Sequence, residues 1–210
     1  GALPLKDTIA ACDSYKNALF GYFKGAALEK VGVQSSSSRK EGQIPPSNSN
    51  LRLQLARDAY VAANAMPCDY CFPNRLEEEE VLKMAAAAAP ELANTWYYPG
   101  CCEWNHDRKD AGLADWKKCV ELCETTNPVN PVNPVKKPSC YALALRCIGF
   151  ALSHPGTYFT NTGIPSGVPS KEAYKYYLKS LEVEPHFRTL DEAGKLAEKL
   201  KLPAAERLAL

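Results

Sequence analysis

No apolar run in this chain approaches the roughly 20 residues that a membrane-spanning helix needs; the richest candidate, Tyr141 to Leu152, is interrupted by Arg146 and Cys147. A transmembrane protein is therefore not expected. A charge excess is missing too, with 25 Lys and Arg against 24 Asp and Glu mixed along the chain, so nucleic acid and anionic membrane are poor partners. Strand signals are nearly absent: there is no Asn-Gly or Asp-Gly hairpin and no sustained alternation of β-branched residues. The asparagines form no Asn-x-Ser/Thr sequon, which weighs against a glycosylating secretory route. Gly-rich phosphate loops and His-Glu-x-x-His are missing as well. His106, His154 and His186 each lie in or beside a loop, none with a cysteine, serine or carboxylate at a recognisable family spacing, and they read as turn histidines. The chain opens at Gly1-Ala2-Leu3-Pro4 without a methionine or a charged-then-apolar leader, so any targeting segment is expected to lie outside this numbering.

What the chain has is cysteine. Nine stand in 210 residues, six of them in the close pairs Cys68/Cys71, Cys101/Cys102 and Cys119/Cys123. A chain of this length can bury a proper core, so disulfides would supplement that core instead of replacing it. Clustered cysteines persist as disulfides where thiols are oxidised. The compartments that qualify are the thylakoid lumen, favoured here, the mitochondrial intermembrane space, a periplasm or the secretory route.

Periodicity predicts an all-α fold, an irregular bundle of six or seven helices with long Pro-rich loops, stapled by disulfides. Residues 1–32 read as an N-terminal amphipathic helix with Ile9, Cys12, Leu19, Phe20, Phe23 and Ala27 on its apolar stripe. Residues 33–50, rich in Ser, Lys, Asn and Pro, read as a polar loop or linker. The stapled helical core would span 51–154, a loop 155–169, and a C-terminal helical hairpin 170–210. Within the core, Leu51 to Met66 stops at Pro67, and Asn74 with Glu77 forms a capping box for a helix whose acidic first turn suits the dipole. Trp96, Tyr97, Tyr98 and Trp104 flank Pro99-Gly100 in an aromatic turn region that closes a core or lines a pocket. Gly112 to Thr125 and Pro138 to Ser153 follow as helices, the second apolar almost all round. Ser170 caps the penultimate helix, and Thr189 with Glu192 makes a capping box for the last.

Between the two central helices, Asn-Pro-Val occurs three times over 127–135. Proline at every third position favours polyproline II, which aligns Val129, Val132 and Val135 along one edge as a candidate partner-binding ridge. Cys119 and Cys123 share one side of their helix, as do Cys140 and Cys147. In an antiparallel pair Cys123 faces Cys140 and Cys119 faces Cys147. That arrangement resembles the helix-hairpin staple of the twin-cysteine proteins of the mitochondrial intermembrane space, over about 30 residues, with the second pair spaced seven apart where the small translocase chaperones use four.

Cys68-Asp69-Tyr70-Cys71 has the spacing of a thioredoxin-type redox motif, but Phe72-Pro73 follows where a helix should start. The pair is expected to bond with Cys101 and Cys102, since adjacent cysteines rarely bond to each other. Zinc on Cys68, Cys71, Cys101 or Cys102 and His106 is the alternative; the second knuckle is irregular, so no metal or other cofactor is expected. Cys12 is left as the odd thiol, packed as a small hydrophobe.

Lys171 to Pro185 matches the second helix of a tetratricopeptide unit, yet no 34-residue period recurs. The same stretch is similar to the last helix of the PsbQ-like extrinsic subunits, four-helix bundles on the lumenal side of photosystem II. These readings converge on a non-catalytic, disulfide-stabilised helical accessory subunit, a soluble or membrane-peripheral member of a large organellar assembly whose partners are other protein subunits. A photosystem-type lumenal subunit comes first and a mitochondrial respiratory supernumerary subunit second. The alternative is a secreted or periplasmic enzyme or small-ligand carrier with its pocket at Trp96, Tyr97, Tyr98 and Trp104.

Overall fold

Alanine, leucine, lysine and glutamate fill the periodic stretches of this sequence, and in the computed structural model these stretches are helical. The structure describes residues 5–14, 17–37, 47–68, 71–126, 138–154 and 170–207. Among them are nine α-helices and one short 3-10 helix, with no strand. The helices are α1 (Leu5–Asp13), α2 (Ala18–Ser37), α3 (Ser47–Asn64), α4 (Leu76–Ala88), α5 (Asn94–Asn105), α6 (Lys109–Thr126), α7 (Ser139–Ser153), α8 (Lys171–Val183) and α9 (Phe187–Lys199). The fold is all-α. The Asn-Pro-Val repeat with Val129, Val132 and Val135, and the loop 155–169, lie outside the described residues.

The chain divides into two units, Gly1–Pro99 and Gly100–Leu210, with the division inside α5. In the first, α2 packs along α3 and also meets α1 and α4. Gly21 and Gly25 permit the close approach, because a Cβ on Gly21 would lie 2.8 Å from Cβ of Ala63 and one on Gly25 2.3 Å from Cε1 of Tyr60. Three fully buried tyrosines fill this core: Tyr22 stacks on Tyr60 at 6.1 Å between centroids and meets the edge of Tyr98 at 5.8 Å. In the second unit α7 is the hub, packed on α6 and α8, and α8 packs on α9. Gly149 lets α7 and α8 close over the Tyr177 ring, where Ser180 Oγ donates to the Ala142 carbonyl at 3.0 Å. Tyr174, Tyr177, Leu196 and Leu202 close the far side with three alanines.

Five local expectations are corrected. The stretch 33–50, expected as a polar loop, is helical at both ends, with α2 running to Ser37 and α3 starting at Ser47. The N-terminal helix is two helices, because Asn17 breaks it: its Oδ1 accepts from Leu19 N at 2.8 Å and so starts α2 afresh. The start of α4 is closed by Glu78 in place of Glu77, its Oε2 accepting from the backbone N–H of Asn74 and Arg75 at 2.8 and 2.9 Å. The aromatic region is helix α5, with Pro99 inside it. Its first residue is held by a reciprocal amide pair, Asn94 N donating to Asn64 Oδ1 and Asn94 Nδ2 to the Asn64 carbonyl, at 2.9 and 3.0 Å. Finally, α9 starts from His186, so Thr189 is already within the helix and buried. Ser170 caps α8 as expected, accepting from Ala173 N at 3.1 Å.

Candidate functional site

Helical spacing puts Cys119 and Cys123 one turn apart on the same side of α6, and Cys140 falls in the first turn of α7. All three are fully buried. Cys123 Sγ lies 3.8 Å from Cys140 Sγ, and the three sulfurs lie within 4.8 Å of one another. Tyr141 donates to Glu124 Oε1 at 2.9 Å beside them, and Lys179 from α8 donates to the same oxygen at 2.5 Å. Burial first, then the Glu124 hydrogen bond, raises the Tyr141 phenol pKa. These contacts join the end of α6 to the start of α7.

Two turns along α7, Cys147 is half-buried near the half-buried Cys101; its interaction with Cys101, then burial, then the charges of Cys101 and Cys119, push its thiol pKa well up. Cys147 is thus a thiol at neutral pH and a poor nucleophile. No two of the nine cysteines are bonded to each other. The geometry brings Cys123 to Cys140 and Cys147 to Cys101, with Cys119 beside the first pair.

In the N-terminal unit Cys68 and Cys71 are both buried, and Cys71 N donates to the Cys68 carbonyl at 3.4 Å. Cys68 follows the end of α3, and α4 begins only at Leu76. Neither thiol therefore sits at the helix N-terminus that a redox-active pair uses to lower its pKa. Tyr98 packs beside this pair, and its pKa is raised, by burial first and then by the two thiols. Cys12 is buried on α1, its pKa raised chiefly by burial, in keeping with a small packed hydrophobe.

The aromatic quartet divides by role. Tyr97 and Tyr98 are core residues. Trp96 Nε1 donates to the Pro90 carbonyl at 2.8 Å, and Trp104 packs on Trp116 at 5.2 Å under the Lys109 ammonium. A groove of about 400 Å³ opens elsewhere in the N-terminal unit, against Leu53, Arg57, Tyr60 and Ala88, and the quartet takes no part in its lining.

Sequence reading missed a second polar cluster. Ser153 Oγ lies 2.8 Å from His154 Nδ1, and His154 Nε2 lies 3.5 Å from Glu192 Oε2, on a cleft of about 190 Å³ also lined by Lys195 and Lys199. Order along this set resembles a serine–histidine–carboxylate relay, but its surroundings oppose acyl transfer. The Ser153 hydroxyl is already engaged by the Phe150 carbonyl at 3.1 Å and the Tyr177 hydroxyl at 3.0 Å. The cluster also sits at the C-terminal end of α7, where carbonyl dipoles disfavour a developing oxyanion. Its evident work is to tie α7, α8 and α9 together. The signal was hidden because Glu192 is 38 residues from His154 and carried a capping assignment that α9 does not honour.

The chain matches no protein-family model, no curated protein and no solved structure, so function has to be argued from these residues.

Proposed function

We propose that this chain is a non-catalytic helical accessory subunit, extrinsic to any membrane, that works as a disulfide-stapled scaffold in an oxidising compartment of a larger protein assembly. The observation that carries the reading is the 3.8 Å approach of Cys123 Sγ to Cys140 Sγ across the α6–α7 hairpin. Closing that gap to the roughly 2.05 Å of a disulfide needs only small side-chain movements. The two thiols would give up two electrons and two protons to a disulfide-donating oxidant of the compartment. A second staple between Cys101 and Cys147 would tie α5 to α7. A hairpin locked in this way is a rigid platform, and large exposed apolar side chains, Phe72 and Leu76 in one unit and Phe187 in the other, offer it contact points.

A thylakoid-lumen assembly is the first setting proposed, and a mitochondrial respiratory complex the second. The enzyme or carrier alternative has less support, because its two central tyrosines are packed in the core and the Ser153 hydroxyl is engaged on several sides. Sizing of the native particle under non-denaturing conditions tests the reading. A particle much larger than one chain is expected, and a monomer in its native compartment would overturn it.

A further inference from the structure

The hairpin gathers three sulfurs, one more than a single disulfide joins. Cys119, Cys123 and Cys140 are each fully buried and hold their sulfurs within 4.8 Å of one another, one pair at 3.8 Å. An ion bound at the usual metal–thiolate distance of about 2.3 Å, with three sulfurs around it in a plane, sets those sulfurs about 4.0 Å apart. The cluster thus already has nearly the spacing of a three-coordinate thiolate site. Two of the three ligands are fixed by helical geometry, Cys119 and Cys123 being four residues apart on α6.

Ligand chemistry narrows the ion. Among the described residues no carboxylate or imidazole joins the three sulfurs as a potential ligand, which leaves nothing for calcium, magnesium or manganese. Thiolates alone select soft ions such as Cu(I) and zinc. Structural zinc is almost always four-coordinate, and here three sulfurs converge in a place closed to solvent. We propose that the reduced protein binds one Cu(I) ion through the thiolates of Cys119, Cys123 and Cys140. No electron is transferred in binding: three copper–sulfur bonds form, and the displaced thiol protons leave to solvent, so affinity rises with pH. A sulfur committed to a disulfide cannot be such a ligand. The copper-loaded and stapled forms are therefore alternatives for the same residues, and the copper site does not rest on the accessory-subunit reading.

The test is titration of the fully reduced chain with Cu(I), anaerobically and against a competing Cu(I) chelator. It is read by the thiolate-to-copper charge-transfer band and by X-ray absorption at the copper edge. One equivalent bound by three sulfurs is expected. Cys119→Ser, Cys123→Ser and Cys140→Ser should each weaken binding by at least about 100-fold, while Cys12→Ser and Cys147→Ser leave it unchanged. Circular dichroism of each variant separates loss of a ligand from loss of fold, and a variant that does not fold is replaced by the alanine form at the same position. Absence of binding, full binding by Cys119→Ser, or a preference for zinc with Cys147 as fourth sulfur would overturn the proposal. Because Cys119→Ser keeps Cys123 and Cys140, non-reducing peptide mapping of that variant reads the staple independently of the metal.

Discussion

A methyl group on Gly25 would lie 2.3 Å from Cε1 of a fully buried Tyr60, whose hydroxyl is fixed by donation to Glu29 at 2.8 Å. The ring cannot swing away without breaking that bond, so Gly25→Ala is expected to cost about 1–3 kcal/mol, the range of overpacking. Gly194 stands in the opposite situation, inside α9 with nothing within 4 Å of its missing Cβ. There the backbone entropy of glycine is all that matters, and Gly194→Ala should stabilise by about 0.5–1 kcal/mol. Urea melts of the two variants would show opposite shifts of midpoint. Tyrosine ionisation gives a second residue-level prediction. Burial pushes the Tyr177 phenol up to about 12, and Tyr60, Tyr98, Tyr141 and Tyr176 are raised in the same direction, burial being the first cause for each. An unfolded tyrosine ionises near pH 10, so above that value the unfolded chain binds fewer protons than the folded one. Stability from these phenols is complete below about pH 10 and drains away as pH climbs toward 12. Absorbance at the phenolate band, followed together with helicity, should show these tyrosines ionising only as the helices melt.

At the level of the element, the α6–α7 hairpin brings Cys123 Sγ within 3.8 Å of Cys140 Sγ without a bond between them. Cysteine spacing, taken with an antiparallel helix pair, matches Cys123 to Cys140, because thiols four and seven residues apart share a helix face. It pairs Cys119 with Cys147 by the same logic, while in the structure Cys147 also has Cys101 as a neighbour, a residue of α5 that spacing within one hairpin could not bring in. Helix identity was legible wherever an apolar stripe ran unbroken, as in α7, α8 and α9. It failed at α5, where Pro99-Gly100 looks like a turn and only the buried Asn94–Asn64 amide pair starts a helix. Cap positions slipped for a related reason: Glu77, Glu78 and Glu79 are equivalent as letters, and the backbone chose the one that reaches two N–H groups at once. The Ser153–His154–Glu192 cluster was illegible because it depends on how α7 and α9 pack. The staple carries its own prediction. Closing the loop between Cys123 and Cys140 removes chain entropy worth about 3 kcal/mol for a loop near this length. Oxidised protein should therefore melt several degrees above reduced protein, with peptide mapping placing bonds at Cys123–Cys140 and Cys101–Cys147. Equal melting temperatures, or thiols still free after oxidation, would remove the staple from the account.

On the scale of the whole molecule the balance of charge and apolar surface decides what kind of contact the chain can make. A formal net charge of +1 gives little long-range field for steering or holding a partner. Affinity would have to come from apolar contact, and among the large apolar side chains left outside the cores three are the most exposed: Phe72 at 78%, Leu76 at 70% and Phe187 at 73%. Solvent-facing substitutions of this kind usually change stability by less than about 0.5 kcal/mol, whereas anchors in an interface each contribute on the order of 1–2 kcal/mol or more. Phe72→Ser, Leu76→Ser and Phe187→Ser therefore separate folding from docking. If the chain is an accessory subunit held by these residues, the variants should keep the parent melting temperature yet migrate in smaller particles on native sizing. The parent particle should in addition survive about 1 M salt, where screening cuts the reach of charges to roughly 3 Å. Undiminished assembly in all three variants would take these side chains out of the interface, and dissociation of the parent by salt alone would show that ion pairs, not apolar anchors, hold it.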